Sequence, residues 1–214
     1  MNESEVMKTG TTTIALKCNG GIVLAADMRA TAGNMVVNRK TEKIHQIDDF
    51  MAVTMAGTVS DAQLLVKLIK AELNLKKINL GTPNTVKEAA NLLAGMIYHN
   101  IRKMSLIPGI SHFILGGKDK EGFHIYDLFV DGSLTEIKEY VASGSGSVFA
   151  YGVLDSQYKK DASIDEGVKL AVRAINAALQ RDSATGNGIR VVTITDEGVS
   201  TIMEQELEMK LKEN

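Results

Sequence analysis

The sequence predicts one α+β domain, a four-layer αββα sandwich in which two antiparallel sheets lie face to face between pairs of helices. Three observations predict it. Short β-branched and apolar runs come in groups, and between the groups stand pairs of longer stretches with apolar residues three and four apart. The order is therefore strands, two helices, strands, two helices, strands, which does not suit a doubly wound parallel sheet. Only Pro83 and Pro108 interrupt the 214 residues, and no Ser/Gly-rich linker, internal repeat or low-complexity tract divides them.

Each element has its own signal. Residues 11–16 and 22–26 are strand-like runs joined by Cys18, Asn19, Gly20 and Gly21, and Asn-Gly readily adopts the positive φ of a tight hairpin. Residues 43–47 and 51–56 form a second pair around Asp48 and Asp49. Ala62, Leu65, Val66, Ile69 and Leu73 then mark one helical face. Val86, Ala90, Leu93, Ile97 and Ile101 mark another over residues 84–104, ended by Pro108-Gly109. Strands are expected again at 111–116, 123–127 and 137–142, with Asp131-Gly132 as a turn. Helices are expected at 147–158 and 163–181, the second with Ile164, Val168, Ala171, Ile175 and Ala178 on one face. Strands at 189–195 and 198–202 flank Asp196-Glu197, and a charged tail closes the chain.

Composition narrows the function. The chain is 44% hydrophobic and 23% charged, ordinary for a globular domain that needs neither disulfide nor metal to fold. The single cysteine, Cys18, cannot form an intramolecular disulfide or a cysteine-based zinc cage, which fits a reducing, cytoplasmic setting. A net charge of −2 argues against nucleic acid, and no apolar run approaches a membrane span. Residues 1–10 are polar and lack a secretory apolar stretch, so they read as a short removable leader before a domain at 11–214.

Common catalytic motifs are absent. Neither GxxxxGK[ST] nor HExxH occurs, so no metal or phosphate cofactor is expected. Ser143-Gly-Ser-Gly-Ser147 follows a strand and opens a helix as a dinucleotide loop would, but the third glycine of that fingerprint falls on Phe149. Serine hydroxyls capping a helix explain the turn more simply. None of the four histidines, His45, His99, His112 and His124, stands in a GxSxG-type motif, so a histidine triad has no support. Thr11-Thr-Thr13 at the head of the first strand needs no function by itself, because threonine favours strands.

Several separated segments together are more specific. Gly10-Thr-Thr-Thr-Ile-Ala-Leu16, Asp27-Met-Arg-Ala-Thr31, Lys43, Ala56-Gly57-Thr-Val-Ser-Asp-Ala-Gln63, Gly144-Ser-Gly-Ser147, Tyr151-Gly-Val-Leu-Asp155 and Gln180-Arg-Asp-Ser-Ala-Thr-Gly186 occur in that order. Together they resemble the β subunit of the 20S proteasome, the archaeal type most closely, from the leader to about Thr195. The resemblance implies an N-terminal nucleophile hydrolase fold, the same sandwich, and a threonine-type endopeptidase without cofactor. It implies that Thr11 is the nucleophile, freed by self-cleavage after Gly10. A free α-amino group has a reference pKa of about 8, so Thr11 would then carry its own base. Lys43 matches the catalytic lysine and Asp27 the acid that holds it. Gly57 matches the oxyanion-hole position. Ser145, Asp182 and Thr185 match a supporting hydrogen-bond cluster, Thr185 standing where many relatives have serine.

By the same resemblance Ala30, Thr41, His45, Met55 and Val59 line the pocket for the residue before the cut, which suits large apolar side chains. Thr31 and Gly57 would pair with an extended peptide as an added strand does. The expected partners are α subunits, other β subunits in seven-membered rings (four stacked rings), a regulatory ATPase complex and polypeptide substrates. Three other readings remain at this stage. They are a catalytically silent ring subunit, a threonine peptidase of the bacterial two-component type, and an amidohydrolase acting on small amides.

Overall fold

A computed structural model describes residues 10–106 and 108–207. Residues 1–9 of the expected leader and 208–214 of the charged tail lie outside the described residues. Strands β1 (Thr13–Cys18) and β2 (Gly21–Asp27) form the expected hairpin, followed by a small one, β3 (Ala30–Ala32) and β4 (Met35–Asn38). Then come β5 (Ile44–Asp48), β6 (Met51–Gly57), α1 (Val59–Leu80) and α2 (Val86–Arg102). The second half contains β7 (Ser111–Asp119), β8 (Gly122–Leu128), β9 (Leu134–Ile137), β10 (Tyr140–Ser143), α3 (Ser147–Gln157), α4 (Ile164–Arg181), β11 (Gly188–Thr195) and β12 (Gly198–Glu206).

Two five-stranded antiparallel sheets result, ordered β10-β1-β2-β11-β12 and β5-β6-β7-β8-β9. The period of two sorts their side chains. On β2, Ile22, Leu24 and Ala26 join the layer between the sheets, while Val23 and Ala25 pack with Leu170, Ala171 and Ile175 of α4. The outer face of the other sheet, with Met51, Val53, Phe113 and Leu115, is covered by Leu65, Ile69 and Leu73 of α1 and Leu93 and Ile97 of α2. These are the four layers that the blocks in the sequence predict.

Local chemistry sets the helix limits. Thr85 with Glu88 caps α2 and Ser163 with Glu166 caps α4, each pair exchanging side-chain and backbone bonds so that two otherwise unpaired N–H groups are satisfied. Two strand expectations need correction. The single strand expected at 137–142 is two: β9 ends at Ile137 in one sheet and β10 begins at Tyr140 in the other. Ile137 and Val141 contribute to the same inter-sheet layer from either side of the exposed Lys138-Glu139 pair, so hydrophobicity alone does not mark the crossing. The β3–β4 hairpin was not expected, since β4 is exposed at all four positions and has no alternation to read.

Candidate active site

The site lies where the two sheets open. Asp27, the last residue of β2, is its fixed point and is 1% exposed. Its Oδ1 accepts the Thr12 N–H at 2.9 Å and the Lys43 ammonium at 2.7 Å. Its Oδ2 accepts the N–H groups of Arg29 and Gly186, each at 3.0 Å. Four donors on one carboxylate satisfy it fully, which a buried charge requires. Lys43 is itself 3% exposed. Burial pushes its ammonium below the ordinary lysine value, and the Asp27 carboxylate opposes that shift.

From this pair the lysine reaches Thr11. Lys43 Nζ donates to the Gly10 carbonyl oxygen at 3.4 Å, and Thr11 Oγ1 donates to the same oxygen at 2.7 Å. The peptide bond between Gly10 and Thr11 thus carries a hydroxyl on one side and a cation on the other. Upstream, the Gly10 N–H donates to Thr31 Oγ1 at 3.0 Å. A Cβ on Gly10 would overlap Ala184, so this position takes only glycine without movement.

Behind Thr11 the hydroxyl cluster closes. The Thr11 N–H donates to Ser145 Oγ at 3.3 Å, and Ser145 Oγ donates to Asp182 Oδ2 at 2.6 Å. Thr185 Oγ1 donates to the same carboxylate oxygen at 2.5 Å and stands 2.7 Å from Thr12 Oγ1. The threonine at 185 therefore keeps the hydroxyl contacts that serine would make. The turn at 144–146 is packed too closely for side chains. Gly144 has φ +92, and a Cβ there would lie 2.0 Å from the Thr11 carbonyl oxygen. A Cβ on Gly146 would lie 2.0 Å from Thr12 Oγ1. Serine capping of α3 is not what occupies this turn: Gly146 is the N-cap and receives no side-chain bond, because Ser145 is held by Asp182 instead.

The substrate side is a cleft lined by Gly10, Thr11, Ala30, Thr31, Thr41, Lys43, Met55, Ala56, Gly57, Val59 and Ala62. Of the expected pocket residues, His45 does not line it. Met55 N bonds Lys43 O, whereas His45, two residues further along the chain, pairs with Val53. His45 Nε2 is buried with no hydrogen-bond partner among the described residues, and burial pushes its pKa down. Ala56 and Ala62, both in the Ala56–Gln63 segment, also line the cleft although they were not among the expected pocket residues.

Four further residues of the site were missed. Thr12 supplies both a hydroxyl and a backbone donor. Arg29 holds the 183–187 segment, its Nε donating to Asn187 Oδ1 and its Nη1 to Ser183 O, both at 2.8 Å. Gly186 gives its N–H to Asp27. Asn187 has φ +65, the one non-glycine positive φ among the described residues. A Gly-Asn pair just before a strand was the available signal.

Gly57 ends β6 immediately before α1, with φ +111. A Cβ there would lie 2.2 Å from the Ile110 carbonyl oxygen, which already accepts the Thr58 N–H at 2.7 Å. Its conformation also brings the N-terminus of α1, a partial positive charge, to the cleft, where Val59 and Ala62 are lining residues. Gly57→Ala is expected to shift this backbone; if its N–H serves as the oxyanion donor that the resemblance implies, peptide hydrolysis would fall on the order of 10²–10³ in kcat. Steady-state kinetics with a fluorogenic peptide measure it.

An αββα sandwich of this strand and helix order is the N-terminal nucleophile hydrolase fold. Comparison with known proteins narrows the class. The family model described as Proteasome subunit matches residues 7–194. The chain is 43% identical over 203 residues to "Proteasome subunit beta" of Ferroglobus placidus, covering 95% of each chain. It is 40% identical over 210 residues to the protein of the same name from Methanocaldococcus fervens, covering 98% of this chain and 92% of that one. It is 43% identical over 203 residues to "Proteasome subunit beta 2" of Pyrococcus furiosus, covering 95% and 96%. The chain belongs to the proteasome subunit family.

Proposed function

We propose that this chain is a catalytic β subunit of a proteasome core particle, a threonine-type endopeptidase that makes its own nucleophile. The observation that carries the reading is Thr11 Oγ1 at 2.7 Å from the Gly10 carbonyl oxygen, with Lys43 Nζ on the same oxygen and Ser145 on the Thr11 nitrogen. In the uncut chain Oγ1 attacks the Gly10 carbonyl carbon. Oγ1 gives up its proton, which passes to the Thr11 nitrogen as the C–N bond breaks, so the acyl group moves to Oγ1 as an ester and the nitrogen leaves as an amine. Water hydrolyses the ester and releases residues 1–10 with a new carboxylate. The leader would thereby be removed, leaving a domain at 11–214.

The freed amine then works as the base. It takes the Oγ1 proton as Oγ1 attacks a substrate carbonyl, and hands that proton to the leaving amine when the substrate's C–N bond breaks. Lys43, held by Asp27, disfavours protonation of the amine and hydroxyl beside it. The Gly57 N–H would take the oxyanion, and Ser145, Asp182 and Thr185 would keep the amine aimed. Water completes the cycle by cleaving the acyl ester. No step needs ATP or a cofactor.

The cleft supports a preference for apolar residues before the cut. Ala30, Met55, Ala56, Val59 and Ala62 line it, and among the described residues no carboxylate does. Thr41 Oγ1, a cleft residue buried with no partner among the described residues, adds limited polarity. Thr31 and Gly57 would bind the extended peptide through their backbones. The particle would consist of four stacked seven-membered rings, β rings between rings of α subunits, in the cytoplasm, fed with unfolded polypeptide by an ATPase complex. Among the described residues no helix is long and apolar enough to cross a membrane. The experiment is co-expression with an α subunit and assay of the purified particle on peptides that differ only before the cut. Faster cleavage after Leu, Phe or Tyr than after Lys or Asp supports the reading; no cleavage of any peptide by the assembled particle rejects it.

A further inference from the structure

The layer between the sheets changes character near Thr11. Over most of its area it is apolar, with Leu24, Ile114, Ile125 and Val141 among its members. The alternate positions that continue these faces are polar: His112 before Ile114, Asp127 after Ile125 and Ser143 after Val141. These three residues, from three strands and both sheets, join. Ser143 Oγ is 2.7 Å from His112 Nδ1, and His112 Nε2 is 2.5 Å from Asp127 Oδ1. A carboxylate only accepts, so the network assigns the ring proton to Nε2, and Nδ1 accepts from the Ser143 hydroxyl.

The order Ser–His–Asp is that of a hydrolytic triad, but Ser143 is 3% exposed and faces the inter-sheet layer, where no substrate carbonyl can reach it. The consequence lies in the neighbours of these residues. Ser143 pairs with Thr13 and is followed by Gly144, packed on the Thr11 carbonyl, and Ser145, which accepts the Thr11 N–H. His112 pairs across the strands with Ala56, the residue before Gly57. One side chain therefore ties the turn that holds the nucleophile to the strand end that carries the oxyanion position.

We propose that His112, oriented by Asp127, is a positioning residue for the reaction: by holding Ser143 it fixes the Gly144–Ser145 turn against Thr11 and keeps that turn in register with Gly57. This rests on Thr11 being the nucleophile. His112 touches no reacting atom, so it acts on the geometry of the transition state and not on substrate affinity.

The test uses the particle assembled with α subunits and compares His112→Ala, His112→Gln, Ser143→Ala and the double variant of His112→Ala with Ser143→Ala. His112→Ala is expected to lower kcat about tenfold with KM within about twofold. Gln, whose amide can donate to Asp127 and accept from Ser143, is expected to restore most of kcat. Ser143→Ala should match His112→Ala, and the double variant should be no slower than either, because all three break one connection. Wild-type kcat in His112→Ala or Ser143→Ala overturns the proposal, as does a Gln variant as slow as Ala or losses that multiply in the double variant. If His112→Ala does not assemble, the Gln and Ser143→Ala variants decide by the same criteria. A wild-type particle without peptidase activity would instead reject the threonine-peptidase reading itself.

Discussion

Replacing Thr11 by alanine is expected to leave the leader attached and to abolish peptide hydrolysis, a loss on the order of 10⁶-fold, as for removal of other enzymic nucleophiles. The fold should survive. The side chain lost makes one hydrogen bond, Oγ1 to the Gly10 carbonyl at 2.7 Å, whose net worth is about 1 kcal/mol. Loss of function with a melting curve shifted by no more than that would therefore be chemical and not structural. Thr11→Ser supplies the control. It keeps the hydroxyl and loses the β-methyl that restricts χ1, so it should cut the leader and hydrolyse peptide at a reduced rate. Intact mass reports the leader and a fluorogenic peptide reports hydrolysis; turnover by Thr11→Ala would show that another group attacks.

The second large effect is expected at Lys43. Its Nζ lies 2.7 Å from Asp27, and both groups are almost fully buried. Lys43→Ala leaves the Asp27 carboxylate in place with its bonds from Thr12, Arg29 and Gly186 but without a counter-charge. Breaking such a pair costs about 3–5 kcal/mol, and the three remaining N–H donors place this site toward the lower end. Activity should fall further than stability explains, by about 10²–10⁴, because the cation beside the Thr11 hydroxyl and amine is gone. Denaturant titration measures the first and single-turnover kinetics at a temperature where the variant is fully folded measure the second. A variant that is destabilised yet cleaves at the wild-type rate when folded would assign Lys43 to stability alone.

Much of this fold was legible because its signals are local. Periods of 3.6 and 2 mark α1, α2, α4 and the two hairpins, and Asn19-Gly20 marks the first turn. What failed was non-local. Residues 137–142 read as one strand because Ile137 and Val141, on either side of the crossing at Lys138-Glu139, pack in the same apolar layer from different sheets. The site divides the same way. Thr11, Asp27, Lys43, Ser145, Asp182 and Thr185 are brought together by hydrogen bonds, whereas Arg29 and Thr12, although inside the motif segments, act through partners more than 150 residues away, Asn187 and Thr185, which no local pattern reveals. His45, two residues from Lys43 along the chain, is the one expected pocket residue that does not line the cleft. His112 has no serine beside it in sequence and is joined to Ser143 only by the stacking of two sheets.

The most direct measurement is the N-terminal sequence and intact mass of the subunit in the assembled particle, before and after a covalent threonine-directed inhibitor. Thr11 as the first residue, with one inhibitor adduct mapped to it, is the predicted result. An active particle whose β subunit still begins with residues 1–10, or an adduct on any other residue, would contradict it.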